Sequence, residues 1–258
     1  MTLALTHARL LTGRSLRTLS RQPAYLLFTL VQPMIWLLLF GQLFRHVADL
    51  PGFGGGNYLD YLTPGVVVMT AMMSAGWSGT SIVQDLERGV MDRTLTSPIR
   101  RFALVTAGLT HQALVTIVQS LIMFATGLLA GARYPGGAAG LLVVLACAIL
   151  IAVVFAALSN AIALVVHQQE ALIAVAQFLV LPLAFLSSIM MAPALMPGWV
   201  AGVTRFNPVD WAAVASREAL MASPDWGVVL DRMAMLSALA ILMAWLTARA
   251  YRFYQRSR

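Results

Sequence analysis

The chain of 258 residues has no lysine, one cysteine and few charges of either sign, with Asp, Glu and Arg together making up 10% of it. Each shortage excludes something. A soluble domain is roughly 25% charged, and 17 arginines with 10 acidic residues cannot coat a soluble surface of this size. A Walker-type phosphate loop needs its lysine, so the chain carries no standard ATPase site of its own and is not expected to be an enzyme. One cysteine forms neither an intrachain disulfide nor a multi-cysteine metal site. Cys147 lies in an apolar run and is expected to be a small buried hydrophobe. No cluster suggests a bound metal. The first 22 residues are polar and arginine-bearing without an apolar core, so they do not read as a cleavable signal peptide.

What is present is apolar. Sixty per cent of residues fall in the AVILMFWYC set, and mean hydropathy is +0.81. The net charge of +7 would suggest a nucleic-acid surface on a soluble protein, but this composition points instead to an all-α integral membrane protein. A bilayer core of about 30 Å needs roughly 20 apolar residues per helix. Six segments qualify: 25–44, 62–83, 102–130, 140–166, 171–191 and 228–248. Only His167 to Glu170 separate the fourth from the fifth, which predicts a tight hairpin.

The arginines orient these spans. With both termini on one side, that side receives 12 of the 17 arginines and four of the ten acids, a net +8; the other receives five and six, a net −1. The positive-inside rule places both termini in the cytoplasm. Residues 1–22 repeat apolar positions at three- and four-residue intervals among Arg9, Arg14 and Arg17, which predicts an amphipathic interfacial helix. Residues 23–258 are expected to form one six-span transmembrane domain.

Two connections stand out. Residues 84–101 carry seven charges between two apolar helices. Leu86, Val90, Met91 and Leu95 can form one apolar face of a short helix that Pro98 ends, while Arg100 and Arg101 sit at the lipid phosphates. Such a helix lies on the membrane or docks in a partner's groove. Residues 192–227 are apolar but broken by four prolines. Segments 201–206 and 211–221 are too short to span and read as re-entrant or interfacial helices on the outer side, where Arg205, Asp210, Arg217 and Glu218 can pair.

Glu87-Arg88-Gly89, then Arg93, Leu95, Ser97-Pro98 and a basic pair resembles the cytoplasmic loop of type-2 ABC exporter permeases, with the daunorubicin-resistance-type drug-export permeases nearest. Ser187-Ser188, Pro197-Gly198-Trp199 and Asn207-Pro208 resemble the same family's pattern before its last span. The resemblance covers essentially the whole chain. It implies a coupling helix in the 84–101 loop, seated in an ATPase cleft, with Asp85, Glu87, Arg88, Gly89, Arg93, Ser97, Pro98 and Arg100 at that contact. It further implies two ATP-binding subunits that hold ATP and Mg, a second permease chain, identical or homologous, and a re-entrant region marked by Pro197, Trp199, Asn207 and Pro208. The implied function is ATP-driven export of a hydrophobic or amphipathic drug or lipid-like substrate across a bacterial cytoplasmic membrane.

Polar and sulfur-bearing residues inside the spans are pathway candidates: Met72, Met73, His111, Asn160 and Gln177. Three rivals remain open. One is the same fold exporting a polysaccharide or glycolipid. A proton-driven transporter would want membrane-embedded carboxylates, and the six segments hold only Asp231, beside Arg232 near the outer end of the last. A rhomboid-like intramembrane serine protease would use Gly76-Trp77-Ser78-Gly79, but its base would have to be a histidine that the last two spans lack.

Overall fold

The structure is a computed structural model that describes residues 23–49, 57–88 and 101–256. Every regular element among them is helical. Helix α1 (Pro23–Leu43) leads through a 3-10 turn (Arg45–Asp49) to α2 (Tyr58–Gly76) and the short α3 (Thr80–Glu87). Then come α4 (Arg101–Leu129), α5 (Gly137–Val166) and α6 (Gln169–Phe185). A 3-10 turn (Pro193–Leu195), α7 (Gly198–Thr204), α8 (Pro208–Leu220) and α9 (Trp226–Arg256) complete the chain.

Four helical stretches are long and apolar enough to cross a bilayer: Tyr58–Glu87, Gly108–Leu129, Gly137–Val166 and Trp226–Ala250. Thr29–Leu43 and Gln169–Phe185 are apolar but shorter. The amphipathic segment expected over residues 1–22 lies outside the described residues.

Helix α5 is the centre of the bundle. It has no charged residue, and its mean hydropathy reaches 3.3, so it has no face to offer water. Its stripe of small residues lets neighbours approach closely. Cys147, Ala148, Ile151, Ala152 and Ala156 are completely buried, as expected for Cys147. Helices α2, α4, α8 and α9 pack around it. At its start, a Cβ on Gly136 or Gly140 would collide with the Ala219 carbonyl. Glycine there lets the end of α8 rest on α5, and Gly136 N–H donates to Leu220 O at 2.9 Å.

The expected tight hairpin is present. Helix α5 stops at His167, whose backbone is left-handed (φ 55°) and whose N–H donates to Ala163 O at 3.2 Å. That conformation ends a helix by turning the chain away from its axis.

Two expected spans differ in detail. The second is not continuous over 62–83: it breaks at Trp77–Gly79, and α3 resumes beyond. The fifth does not run to 191: α6 ends at Phe185, and residues 186–197 turn back on themselves. In both places, polar side chains from neighbouring helices take over the hydrogen bonds that a continuous helix would have made.

Exposed large apolar side chains line the outside of α1 (Ile35, Leu39), α6 (Phe178, Phe185) and α9 (Leu230, Ile241). A soluble protein would not leave this many uncovered.

Candidate functional site

Three polar assemblies interrupt the apolar bundle. The first lies where α2 begins, α6 ends and α8 packs between them. Proline at the first position of α8 suits a helix start, because its missing N–H is one no helix would satisfy. Asn207 caps that helix: its Oδ1 accepts from Val209 N–H at 2.9 Å. Its Nδ2 donates to Leu183 O and Leu186 O, both at 2.7 Å. Those carbonyls are at the end of α6, where no following turn exists to bond them. One side chain therefore completes two helix ends.

Arg217 of α8 fills the same corner. Its Nε donates to Tyr61 O at 3.0 Å and its Nη1 to Ser188 Oγ at 3.0 Å. Its Nη2 donates to Ser188 O at 2.6 Å and Ile189 O at 2.8 Å. Its guanidinium carbon lies 3.6 Å from the centre of the Tyr61 ring. Tyr58 and Tyr61 donate to Met190 O and Ser188 O at 2.8 and 2.7 Å. Ser188 N–H donates to Asp210 at 2.8 Å. The expected pairing of Arg217 with acids is therefore replaced: its hydrogen-bond acceptors are neutral, and Asp210 acts at one remove through Ser188. Glu218 instead accepts from Asp225 N–H at 3.1 Å. Burial pulls the guanidinium below its usual pKa, opposed by Tyr61 and Asp210; an arginine starts high enough to stay charged. Gly65 makes room, since a Cβ there would lie 2.9 Å from Ile189 O and 3.1 Å from Arg217 Nη2.

Beside this corner, the α4–α5 turn is tied to the start of α2. Arg133 N–H donates to Asp60 at 2.7 Å, and Asn57 Nδ2 donates to Gly131 O at 3.2 Å. Tyr134 sits edge-on to Phe124 at 5.3 Å, and burial pushes its phenol up to about 12.

The second assembly is a groove of about 300 Å³ between α1 and α2, lined by Thr29, Gln32, Pro33, Thr70, Met73, Ser74 and Trp77. None of these residues is ionisable. Helix α4 fixes its walls: Gln119 donates to Thr29 Oγ1 at 3.3 Å, and Gln112 to Ser74 Oγ at 3.2 Å.

The third is the break itself. Ser159 of α5 donates to Gly76 O at 2.6 Å and accepts from Gly79 N–H at 3.0 Å. Ser78 Oγ donates to Asn160 Oδ1 at 3.3 Å. The serine of the protease-like Gly-x-Ser-Gly segment thus has an asparagine as partner, in a brace rather than a nucleophile–base pair. Beyond the break, Ile82 and Val83 pack with Ala163, Leu164 and Leu172. Asp85, Glu87 and Arg88 end α3 and point to solvent, all three exposed.

Of the residues singled out from sequence, Met73 lines the groove and Asn160 braces the break. Met72 is fully buried and faces the core instead. His111 and Gln177 are half-buried on α4 and α6, outside the groove lining. Pro197 and Trp199 open α7, where Trp199 is 69% exposed. Gly89, Arg93, Ser97, Pro98 and Arg100 lie outside the described residues. Sequence reasoning missed Ser159 and the hub role of Arg217. The only signals were a serine in an apolar run and an arginine between two apolar helices.

The ABC-2 type transporter family model matches residues 6–221. The chain is 32% identical over 247 residues to a daunorubicin resistance ABC transporter permease protein of Streptomyces coeruleorubidus, covering 93% of this chain and 83% of that one. It is 22% identical over 247 residues to a protein of Mycobacterium tuberculosis whose name describes a doxorubicin resistance permease, covering 93% and 86%. A Cyanophora paradoxa protein named as a transport permease is 28% identical over 194 residues, covering 75% and 67%. A family match of this extent and a relative this similar over most of both chains leave one conclusion: the chain belongs to the ABC-2 type transporter family of membrane permeases.

Proposed function

We propose that this chain is the membrane subunit of an ATP-driven exporter for hydrophobic or amphipathic drugs or lipid-like molecules. Six helices, including α1 and α6, cross a bacterial cytoplasmic membrane with both termini inside, and α7 and α8 form a re-entrant pair on the outer side. Residues 1–22 lie in the inner interface. Two copies of a separate ATP-binding subunit hold ATP and Mg, and a second permease chain completes the pathway. The observation that carries this reading is the neutral, mostly apolar groove at Met73 and Trp77, next to the helix that leads into the charged 84–101 loop. Neutral polar groups among apolar walls suit an amphipathic substrate better than a highly charged one. The Streptomyces relative, named for daunorubicin resistance, supports the same substrate class.

Energy enters at Asp85, Glu87 and Arg88. Their exposed charges start the loop that meets the ATPase, continued by Gly89, Arg93, Ser97, Pro98 and Arg100. The test is purification with the ATPase encoded beside the permease gene. Substrate-stimulated ATP hydrolysis should fall sharply in the double variant Glu87→Ala, Arg88→Ala while the complex stays assembled. Unchanged stimulation would overturn the coupling assignment, and a chain that never copurifies with an ATPase would overturn the function.

A further inference from the structure

Helix α3 is held to the α5–α6 hairpin. Ile82 and Val83, with Leu86 one turn on, pack against Ala163, Leu164 and Leu172. Its start is tied to α5 through Ser159 and Asn160. Helix α2 also packs along α5, and its start is fixed at the other end of the bundle through Tyr58, Tyr61 and the Arg217 hub. Between the two lie three residues, Trp77–Gly79, that are not helical. Short turn bonds, Ser78 N–H to Ala75 O and Thr80 N–H to Trp77 O, carry the chain across this gap, and the Ser159 hydroxyl replaces the helical bonds lost there, bonded to Gly76 O on one side and Gly79 N–H on the other. The gap is also crowded: a Cβ on Gly79 would lie 2.5 Å from Ser159 O. Glycine is what lets α5 approach that closely.

We infer that Ser159 is a positioning residue for energy coupling: it is the fulcrum at which α3, moving as one body with the end of α5, turns against α2. A hydrogen-bonded hydroxyl suits this role. It holds the broken ends at a fixed distance but allows rotation, as an intact helix would not, since its own ladder resists bending. Displacement of the Asp85–Arg88 end of α3 then reaches Trp77, Ser74 and Met73 on the groove wall without tearing the apolar contacts of α3. This rests on the chain being the permease of an ATP-driven exporter, as proposed above.

Two measurements on the assembled permease–ATPase complex test it. In proteoliposomes, daunorubicin moved per ATP hydrolysed should fall about fivefold or more in Ser159→Ala and in Gly79→Ala, the scale of an ordinary coupling energy between sites. Basal hydrolysis should hold, and Ser159→Thr, which keeps the hydroxyl, should recover most of the ratio. The second measurement needs no substrate and leaves Ser159 and Gly79 in place. Spin labels are put on the exposed sites Ser81→Cys, Val165→Cys and Leu129→Cys in a Cys147→Ala background. Trapping ATP with vanadate should shift the 81–129 distance while 81–165 stays fixed. A wild-type transport ratio in Ser159→Ala, no recovery in Ser159→Thr, or 81–165 moving as much as 81–129 would overturn the fulcrum alone. A chain with no ATPase partner would overturn both proposals.

Discussion

Arg217 lies flat on Tyr61 and at the same time binds its backbone: the guanidinium carbon is 3.6 Å from the ring centre, and Nε donates to the Tyr61 carbonyl at 3.0 Å. A planar, charged fork is the one side chain that can stack on a ring and serve several carbonyls at once. Four of its bonds tie α8 to α2 and to the turn after α6.

Replacing Arg217 should therefore cost far more than losing a surface charge. Arg217→Ala removes a donor from the carbonyls of Tyr61, Ser188 and Ile189, of which Ser188 O keeps the Tyr61 hydroxyl, and empties a buried corner, a loss of about 3 kcal/mol or more. Arg217→Lys keeps the charge but not the fork, and should recover less than half. Thermal unfolding of the purified permease checks both, and a lysine variant as stable as the wild type would refute the fork.

Asn207 offers a sign test. Asn207→Ala loses the cap on α8 and two donors to α6, at about 2 kcal/mol. Asn207→Asp keeps the capping oxygen but turns an acceptor toward the carbonyls of Leu183 and Leu186. If the bonds to α6 matter more than the cap, aspartate should be at least as damaging as alanine. Aspartate matching the wild type would mean the cap alone counts.

Glycine positions separate by what surrounds them. Gly136→Ala drives a methyl into the Ala219 carbonyl and should destabilise by about 1–3 kcal/mol, as overpacking does. Gly202, inside α7, has nothing within 4 Å. Gly202→Ala should stabilise by about 0.5–1 kcal/mol through helix propensity. Melting temperatures of the two variants should move in opposite directions.

Groove occupancy can be separated from ATPase contact. Under the proposed function, Met73→Trp should fill part of the 300 Å³ space beside Trp77 and reduce efflux of an amphipathic drug, leaving basal ATP hydrolysis of the permease–ATPase complex intact. Loss of both together would place Met73 in the assembly of the protein rather than in its pathway. Met72→Leu, nearly isosteric in a fully buried site, should leave efflux unchanged.

Much of the scaffold was legible in the sequence because hydrophobic runs of bilayer length have one stable use, and a tight four-residue connection leaves room for only a hairpin. The serines were not legible. Ser159 in an apolar run looks like a small packing residue, and only the approach of α5 to the broken α2 gives it two partners. Arg217 was visible as a charge, and charge suggests an acid as partner. Its real acceptors are main-chain carbonyls, which have no letter in a sequence. Met72 and Met73 are adjacent and chemically identical, so only the helix's rotation could assign one to the core and the other to the groove.

The sequence by itself determined that this protein is helical, apolar and too poor in charge for water, that it lacks the lysine of an ATP-binding loop, and where its charged loop lies. Those properties follow from composition and local periodicity, which need no knowledge of neighbours. The tertiary structure decided where a long apolar run is interrupted, at Trp77–Gly79, and where another stops, at Phe185. A helix in an apolar setting ends only where another group takes over its backbone hydrogen bonds. Those groups, Ser159, Asn207 and Arg217, arrive from helices distant in sequence, so only folding puts them there.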